Sequence, residues 1–470
     1  MAGISVFDML KVGVGPSSSH TLGPWKACQR FLDELNPSLL QSVKKVKIVL
    51  YGSLSLTGKG HATDKAVMLG LSGTDPVTLP IHAITKLISK IKEEKQLILG
   101  GKHPIPFDPL IDIVFEKESL DYHANGLRVM AWVGNEEISA TYYSIGGGFV
   151  QKEGETVAPG LDAGIFPFPI ERANQILAYC NKEGKKISDI VLMNELAIRR
   201  PKDLGDGLEK IWQVMLESMY KGCHSEGYLP GGLEVKRRAF DLHERLMPQK
   251  TYVDAPTWLG AIRNTSVQFR EVLKWVSSFA LAVNEENAAM GRVVTAPTNG
   301  SAGVVPAVLM YYLTIENHQA GMEQIREYLM VASEIGSLFK KGATISAAMG
   351  GCQAEIGVSS AMAAAGLCEL MGGTPGQVLI AAEIAMEHHL GLTCDPIRGL
   401  VQVPCIERNT MGAIKAISAA ELALETDEKH TKVSLDNVIQ TMWETAKDMN
   451  GKYKETSTGG LALTVNWVDC

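Results

Sequence analysis

Strand patterns fill the first third of this chain and nearly vanish from the rest, so the two parts must fold into different structural classes. Strands are predicted at 46–53, 127–133 and 137–145, and helical patterns at 21–35 and 62–71 lie among them. The Gly134-Asn135 pair predicts the turn that joins the last two strands. This mixture is typical of an α+β unit.

Residues 151–169 are dense in glycine and proline, and this composition predicts a linker. Beyond the linker, helix-favouring residues follow one another, with glycine and proline at the breaks. The sequence therefore predicts a two-domain protein, with an α+β domain at 1–150, a linker at 151–169 and a larger all-α domain at 170–470. The chain end is expected to be inserted into the second domain.

The longest uncharged stretch, at 293–315, has the length of a membrane span but not its composition, since prolines, glycines and polar residues interrupt it. A buried loop followed by a core helix explains it better, and no membrane partner is expected. Residues 343–372 are rich in alanine and glycine and predict a buried helix pair. The amphipathic segments at 322–341 and 433–447 would surround that pair.

Composition excludes further classes. The 45 basic and 52 acidic residues give a net charge of -7, which leaves no basic surface for nucleic acid. The first residues lack the basic and apolar regions of a secretory signal, which predicts a cytoplasmic protein. Eight cysteines in 470 residues are too few for a disulfide scaffold.

Ser17, Ser18, Ser19, His20 and Thr21 lie between a Gly-Pro turn and a predicted helix. One hydroxyl would suffice as an N-cap. Several hydroxyls and an imidazole beside free backbone N–H groups form a better cradle for a carboxylate, because the helix dipole also favours an anion there. We therefore favour a binding role for this segment over a capping role.

Two further loops carry histidines. His61 lies in a glycine-flanked loop with Lys59, where a neutral imidazole could remove a proton from a ligand held close to the backbone. His123 and Asn125 lie in a segment that also has the pattern of a simple turn. A histidine in a loop is usually structural, so neither loop is specific by itself.

The loop at 295–303 places small polar residues just before an apolar helix, namely Thr298, Asn299, Gly300 and Ser301. A turn with an N-cap is as good an interpretation as a second set of donors for a small zwitterion.

Cys352, Cys394 and Cys405 each follow a glycine or proline break, and none belongs to a CxxC pair. By spacing alone they are buried apolar residues more often than ligands. Breaks at three helix ends nevertheless allow the three sulfurs to converge, and three thiolates with one replaceable position suit an iron–sulfur cluster that works as a Lewis acid. The last residue, Cys470, ends an apolar run that is expected to dock inward, although chain ends usually fray.

Taken together, these residues resemble the iron–sulfur-dependent L-serine dehydratases in their single-chain form. The resemblance covers essentially the whole chain and is carried by the motif at 15–21, GKGHATD at 58–64, HANG at 123–126, TAPTNGSAG at 295–303 and four cysteines. It implies an N-terminal α+β domain, related to a regulatory domain of some phosphoglycerate dehydrogenases, and an all-helical catalytic domain.

The resemblance also implies the site. Cys352, Cys394 and Cys405 would ligate three irons of a 4Fe–4S cluster, and Cys470 would cap the fourth until L-serine displaces it. The substrate-binding residues expected on this basis are Ser17, Ser18, Ser19, Thr21, Lys59, Asn125, Thr298, Asn299, Gly300 and Ser301.

The implied reaction is β-elimination of water from L-serine, which yields pyruvate and ammonia, a step of amino-acid degradation that can supply gluconeogenesis. Elimination needs help at both ends of the bond, because hydroxide leaves poorly and the α-proton is weakly acidic. We expect His61 to be the base and His20 or His123 to orient it or the substrate. Family members are commonly dimers, so a homodimer is expected.

Two alternatives stay open at this point. The same elimination could use pyridoxal phosphate, with Gly146-Gly147-Gly148 as a phosphate cup and Lys59 or Lys341 as the amine. The chain could also be a non-catalytic amino-acid sensor whose cysteines bind structural zinc.

Overall fold

The structure is a computed structural model that describes residues 3–155 and 166–465. As predicted, the first part is an α+β domain. Its strands are β1 (Val12–Val14), β2 (Val43–Leu50), β3 (Gln96–Leu99), β4 (His103–Pro106), β5 (Ile113–Phe115), β6 (Gly126–Val133), β7 (Glu136–Ser144) and β8 (Val150–Lys152). Its helices are α1 (Val6–Met9), α2 (Gly23–Glu34), α3 (Pro37–Leu40), α4 (Ser53–Leu56), α5 (Thr63–Leu71), α6 (Ile81–Glu94) and α7 (Pro109–Asp112).

Five of these strands form one sheet in the order β5-β2-β6-β7-β8, in which β2 and β5 are parallel and the other neighbours are antiparallel. The β6–β7 hairpin turns at Gly134, whose φ of +63° suits glycine, and this confirms the predicted turn. Alternation along β2 buries Val46, Ile48 and Leu50 and leaves Lys45 exposed on the other face. A separate two-stranded ribbon pairs β3 with β4.

The second part is helical, which confirms the predicted fold class. Its helices are α8 (Ala173–Glu183), α9 (Ile187–Ile198), α10 (Pro201–Cys223), α11 (Ala239–Leu246), α12 (Ala255–Arg263), α13 (Phe269–Ala288), α14 (Val304–Tyr311), α15 (Met322–Gly342), α16 (Ala347–Gly350), α17 (Ile356–Leu370), α18 (Pro375–Glu387), α19 (Cys405–Leu424), α20 (Leu435–Asp448) and α21 (Leu461–Thr464). One short strand, β9 (Arg292–Val294), lies among them.

Helix α17 is the centre of the helical domain, because it packs against α14, α15, α18 and α19 and is buried along almost its whole length. The predicted helix pair at 343–372 is wrong in detail. The segment forms the short α16, a 3₁₀ turn at Gly351–Ala354 and then α17. The break occurs at Gly351, which has φ +71° and lies so close to the Leu392 carbonyl that a Cβ would be 2.7 Å from that oxygen.

Strand β1 joins the two domains, since it pairs antiparallel with β9. Beside this pair, the Lys11 N–H donates to Thr295 Oγ1 (2.9 Å), and that hydroxyl donates to the Met9 carbonyl (2.9 Å). The β9 strand was not predicted, because three residues are too few for a periodic pattern.

In the uncharged stretch at 293–315, a buried loop leads into α14, as predicted, while the end of β9 at the start of the stretch was not predicted. Among the residues that the structure describes, no helix is both long and apolar enough to cross a bilayer.

Candidate active site

The hydroxyl-rich segment before α2 caps a helical turn and also contributes side chains to a buried cluster of histidines. Ser17 caps a π-helical turn at Ser18–Leu22, where its hydroxyl accepts from the His20 N–H (3.1 Å). Thr21 Oγ1 donates to the carbonyl of His61 (2.7 Å), so Thr21 fixes the second histidine loop. Ser18 Oγ is buried and has no hydrogen-bond partner among the described residues.

His20 and His61 stack with their ring centroids 4.5 Å apart, and both rings are buried. His20 Nε2 lies 3.1 Å from Ser53 Oγ and 3.0 Å from Thr57 Oγ1, and its Nδ1 lies 3.0 Å from Ser19 Oγ. Burial lowers the pKa of His20 to about 4, since a buried imidazole resists charging. His20 is therefore neutral at physiological pH.

Glu455 completes this cluster and was missed by the sequence analysis. Its Oε1 lies 3.4 Å from His61 Nε2 and 3.6 Å from His20 Nδ1, and the side chain is buried. Burial alone would raise the pKa of Glu455, but the two histidines keep it below its ordinary value. The residue is held by its backbone, which donates to the Cys394 carbonyl (2.9 Å) and accepts from Ser53 Oγ (2.9 Å).

His123 and Asn125 lie in the loop just before β6, where both are buried. The Asn125 N–H donates to His123 Nδ1 (3.0 Å), and burial lowers the pKa of His123 to about 4. Asn125 Nδ2 donates to the Ser144 carbonyl (3.3 Å), while Asn125 Oδ1 has no partner among the described residues. Lys59 lies elsewhere, exposed at the surface with its ammonium 5.5 Å from the ring centroid of Phe115.

The loop before α14 is also buried. Thr298 Oγ1 and Ser301 Oγ lie 3.0 Å apart, and Ser301 Oγ donates to the Ala296 carbonyl (3.0 Å). Asn299 Nδ2 donates to the Gly15 carbonyl (2.6 Å), which ties this loop to the hydroxyl-rich segment and leaves Asn299 Oδ1 without a partner among the described residues.

Glu355 is the second residue that the sequence analysis missed. It faces Gly300 so closely that a Cβ there would be 3.0 Å from Glu355 Oε2. Burial, then the charges of Glu455 and Cys352, raise the pKa of Glu355 well above its ordinary value. Glycine at 300 therefore makes room for the carboxyl group of Glu355.

Three of the predicted ligands are buried, and two of them are in contact. The ligand atoms of Cys352, Glu355 and Cys394 all lie within 4.8 Å of one another. The hydrogen bond from Cys394 lowers the pKa of Cys352 to about 7, and Arg408 Nη1 supports this by donating to Cys352 Sγ (3.2 Å). Cys405 begins α19, and burial followed by the charge of Cys352 raises its pKa.

The other described cysteines have a different environment. Cys180, Cys223 and Cys368 lie in the apolar core, and burial raises the pKa of each to about 12. Cys28 is buried in the α+β domain, and its pKa is raised in the same way. Cys470 lies outside the described residues.

The donor set at Cys352 fits a soft metal group. Thiolates are the ligands that iron–sulfur clusters prefer, and they also bind zinc. Cys352 suits this role, because its pKa is low and its sulfur accepts a hydrogen bond from the Arg408 guanidinium. A carboxyl oxygen of Glu355 lies within 4.8 Å of the sulfurs of Cys352 and Cys394 and could be a further ligand. The geometry therefore combines a place for a metal with a buried histidine–carboxylate cluster.

Comparisons with known proteins agree with this architecture. The family model of the serine dehydratase beta chain matches residues 5–155, and that of the serine dehydratase alpha chain matches residues 182–462. L-serine dehydratase 1 of Escherichia coli is 48% identical over 466 residues, which cover 98% of this chain and 99% of that protein. L-serine dehydratases of Haemophilus influenzae and Streptomyces coelicolor are each 46% identical, over 98% and 99% of this chain and 99% and 100% of theirs.

The two family models therefore place the protein in a class of enzymes, the serine dehydratases, with the beta-chain and alpha-chain sequences in one chain. The chain belongs to the L-serine dehydratase family, as the sequence resemblance predicted.

Proposed function

We propose that this enzyme removes water from L-serine and that the product then loses ammonia to give pyruvate. The observation that carries the proposal is one buried juxtaposition. Glu455, whose carboxylate faces His20 and His61, is hydrogen-bonded through its backbone to Cys394 of the thiol set. A β-elimination needs a base and a group that assists hydroxide departure within one small substrate, and this arrangement supports both.

The unpartnered buried atoms support a site for an amino acid. Ser18 Oγ is a hydroxyl that can donate to a carboxylate. The amide oxygens of Asn125 and Asn299 can accept from an ammonium group. Buried polar atoms are normally satisfied, and we infer that a bound zwitterion pairs with these three. Thr21, Thr298 and Ser301 shape the surrounding loops, with their hydroxyls directed at neighbouring protein oxygens.

Cys352, Cys394 and Cys405 would hold a 4Fe–4S cluster, and Cys470 would supply the fourth ligand in the resting enzyme. A cluster bound there supplies a Lewis acid for the departing hydroxyl. Arg408 supports the ligand set by donating to Cys352 Sγ.

His61 is the proposed base. Its Nδ1 donates to the Thr57 carbonyl (3.0 Å), which leaves Nε2 as the nitrogen that takes the proton. A proton on Nε2 lies beside Glu455 Oε1, so the carboxylate stabilises the charge that forms there. His20 holds the His61 ring by stacking, and His123, in the loop before β6, is close enough to feel the charge of Glu455.

The test is an anaerobic purification followed by a visible spectrum, an iron determination and a pyruvate assay with L-serine. We expect a brown protein with about four irons per chain that forms pyruvate. Cys352→Ser should lose iron and activity together, whereas the matched variant Cys368→Ser, in the core, should retain both. A colourless protein that forms pyruvate would contradict the proposed 4Fe–4S cluster. A protein that forms no pyruvate from L-serine would contradict the proposed activity.

We also propose that the enzyme is a cytoplasmic homodimer that acts in serine degradation towards gluconeogenesis. These proposals rest on the family resemblance. Light scattering of the purified holoenzyme tests the dimer, and a monomer would contradict it.

A further inference from the structure

The segment between α20 and α21 runs along the loop that carries Cys394. The Cys394 N–H donates to the Tyr453 carbonyl (2.8 Å), and the Glu455 N–H donates to the Cys394 carbonyl (2.9 Å). Ser457 Oγ then donates to the Pro396 carbonyl (2.7 Å). Glu455 and Ser457 have φ of +59° and +56°, a region that non-glycine residues avoid. The contacts with the Cys394 loop are therefore what holds this segment in place.

Asp395 makes the last contact of this series. Its buried carboxylate accepts from the Leu461 N–H through Oδ2 (2.8 Å) and from Arg408 Nη2 through Oδ1 (2.9 Å). Gly460, with φ +59°, permits the approach, because a Cβ there would lie 2.3 Å from Asp395 Oδ2. One carboxylate thus joins the C-terminal segment to the guanidinium.

That guanidinium also contacts the thiol set. Arg408 Nη1 donates to Cys352 Sγ (3.2 Å) and to the Thr393 carbonyl (2.6 Å), next to Cys394. A chain of hydrogen bonds from Leu461 through Asp395 and Arg408 therefore reaches Cys352 and the residue next to Cys394. Asp395 is the side chain that makes this connection.

We propose that Asp395 is a positioning residue that anchors the C-terminal segment at Leu461, beside the thiol set, so that Cys470 is delivered to it. The inference rests on the proposed function, in which Cys470 binds the same metal group. The nine residues at 462–470 can span at most about 30 Å. An anchor next to Cys394 keeps the chain end within that reach, while a free segment would search a much larger volume.

The test measures alkylation of Cys470 by iodoacetamide in the anaerobic holoenzyme, with each cysteine followed by peptide mass spectrometry. Leu461→Pro removes the N–H from which Asp395 accepts and also replaces the side chain, and proline is tolerated at the first position of a helix such as α21. Leu461→Ala retains that N–H and controls for the lost side chain. Wild-type enzyme with and without L-serine reports whether Cys470 is a displaceable ligand.

We expect alkylation of Cys470 to be at least about tenfold faster in Leu461→Pro than in Leu461→Ala, because a hydrogen bond to a charged group shifts an equilibrium by about that factor. Equal rates in the two variants, with Cys470 still protected in the wild type and released by serine, would overturn the anchor alone. Fast alkylation in every form, with or without serine, would overturn both the capping by Cys470 and the anchor.

Asp395→Ala gives an independent check. It removes the acceptor for Leu461 and for Arg408 together, so Cys470 should react as fast as in Leu461→Pro and iron content should fall as well. Cys470 protection equal to that of the wild type in Asp395→Ala would overturn the role of this carboxylate.

Discussion

Replacing Glu455 by glutamine should slow turnover while leaving the metal in place. The substitution keeps the size of the side chain and removes the charge that lies 3.4 Å from His61 Nε2. At that distance and an effective dielectric constant of about 20, a carboxylate and an imidazolium attract each other by about 5 kcal/mol. If the proton is about half transferred in the transition state, about 2 to 3 kcal/mol is lost, which corresponds to a fall in kcat of about 30- to 150-fold.

The assay couples pyruvate formation to NADH oxidation under anaerobic conditions, with iron content measured on each preparation. Glu444→Gln, on the exposed side of α20, is the matched control and should turn over like the wild type. A Glu455→Gln enzyme with unchanged iron and a kcat within threefold of the wild type would refute the reasoning. A loss of activity that follows a loss of iron would instead assign Glu455 to assembly of the site.

Three further predictions concern the loops and the metal ligands. Gly60→Ala should lower the free energy of unfolding by about 1 to 3 kcal/mol and reduce activity, because the new Cβ would lie 2.4 Å from the Gly399 carbonyl oxygen. An unchanged midpoint in urea denaturation would contradict this prediction. Burial lowers the pKa of His123 to about 4, so between about pH 6.5 and 4 the unfolded chain binds more protons than the folded one. The free energy of unfolding should therefore fall as the pH falls through that range. His123→Gln should make that dependence shallower in anaerobic urea titrations, and buried His20, whose pKa is lowered in the same way, should retain part of it. An unaltered slope would count against the prediction. Arg408→Gln should lose iron faster than the wild type during incubation with a chelator, and Arg408→Lys should lie between them, since lysine keeps the charge near Cys352 but not the fork of donors.

The histidines and cysteines could be selected from the sequence because each lies at a break rich in glycine, proline or hydroxyl residues, where side chains from several elements can meet. His20 and His61 were selected in this way, and the structure stacks them. Lys59 was selected with them but lies at the surface, since a glycine-flanked loop does not fix the direction of a side chain. Gly300 was selected as a ligand contact, which stays a prediction, and its missing side chain leaves space for Glu355.

Glu355 and Glu455 could not be selected, because a single glutamate in a charged or helical context carries no local pattern. Glu455 reaches Ser53 across a separation of 402 residues, and no spacing rule spans such a distance. The sequence signal near it was the apolar run that ends at Cys470, which predicted a docked chain end without naming the residue that contacts the histidines.

The sequence by itself determined the two fold classes, the β6–β7 hairpin and the buried loop before α14, because periodicity and turn chemistry are local properties of a chain. Only the tertiary structure decided which candidates meet. The pairing of β1 with β9 and the bonds between Cys394 and the C-terminal segment set those distances. Such contacts join residues that are far apart in the chain, and their energies depend on the whole fold.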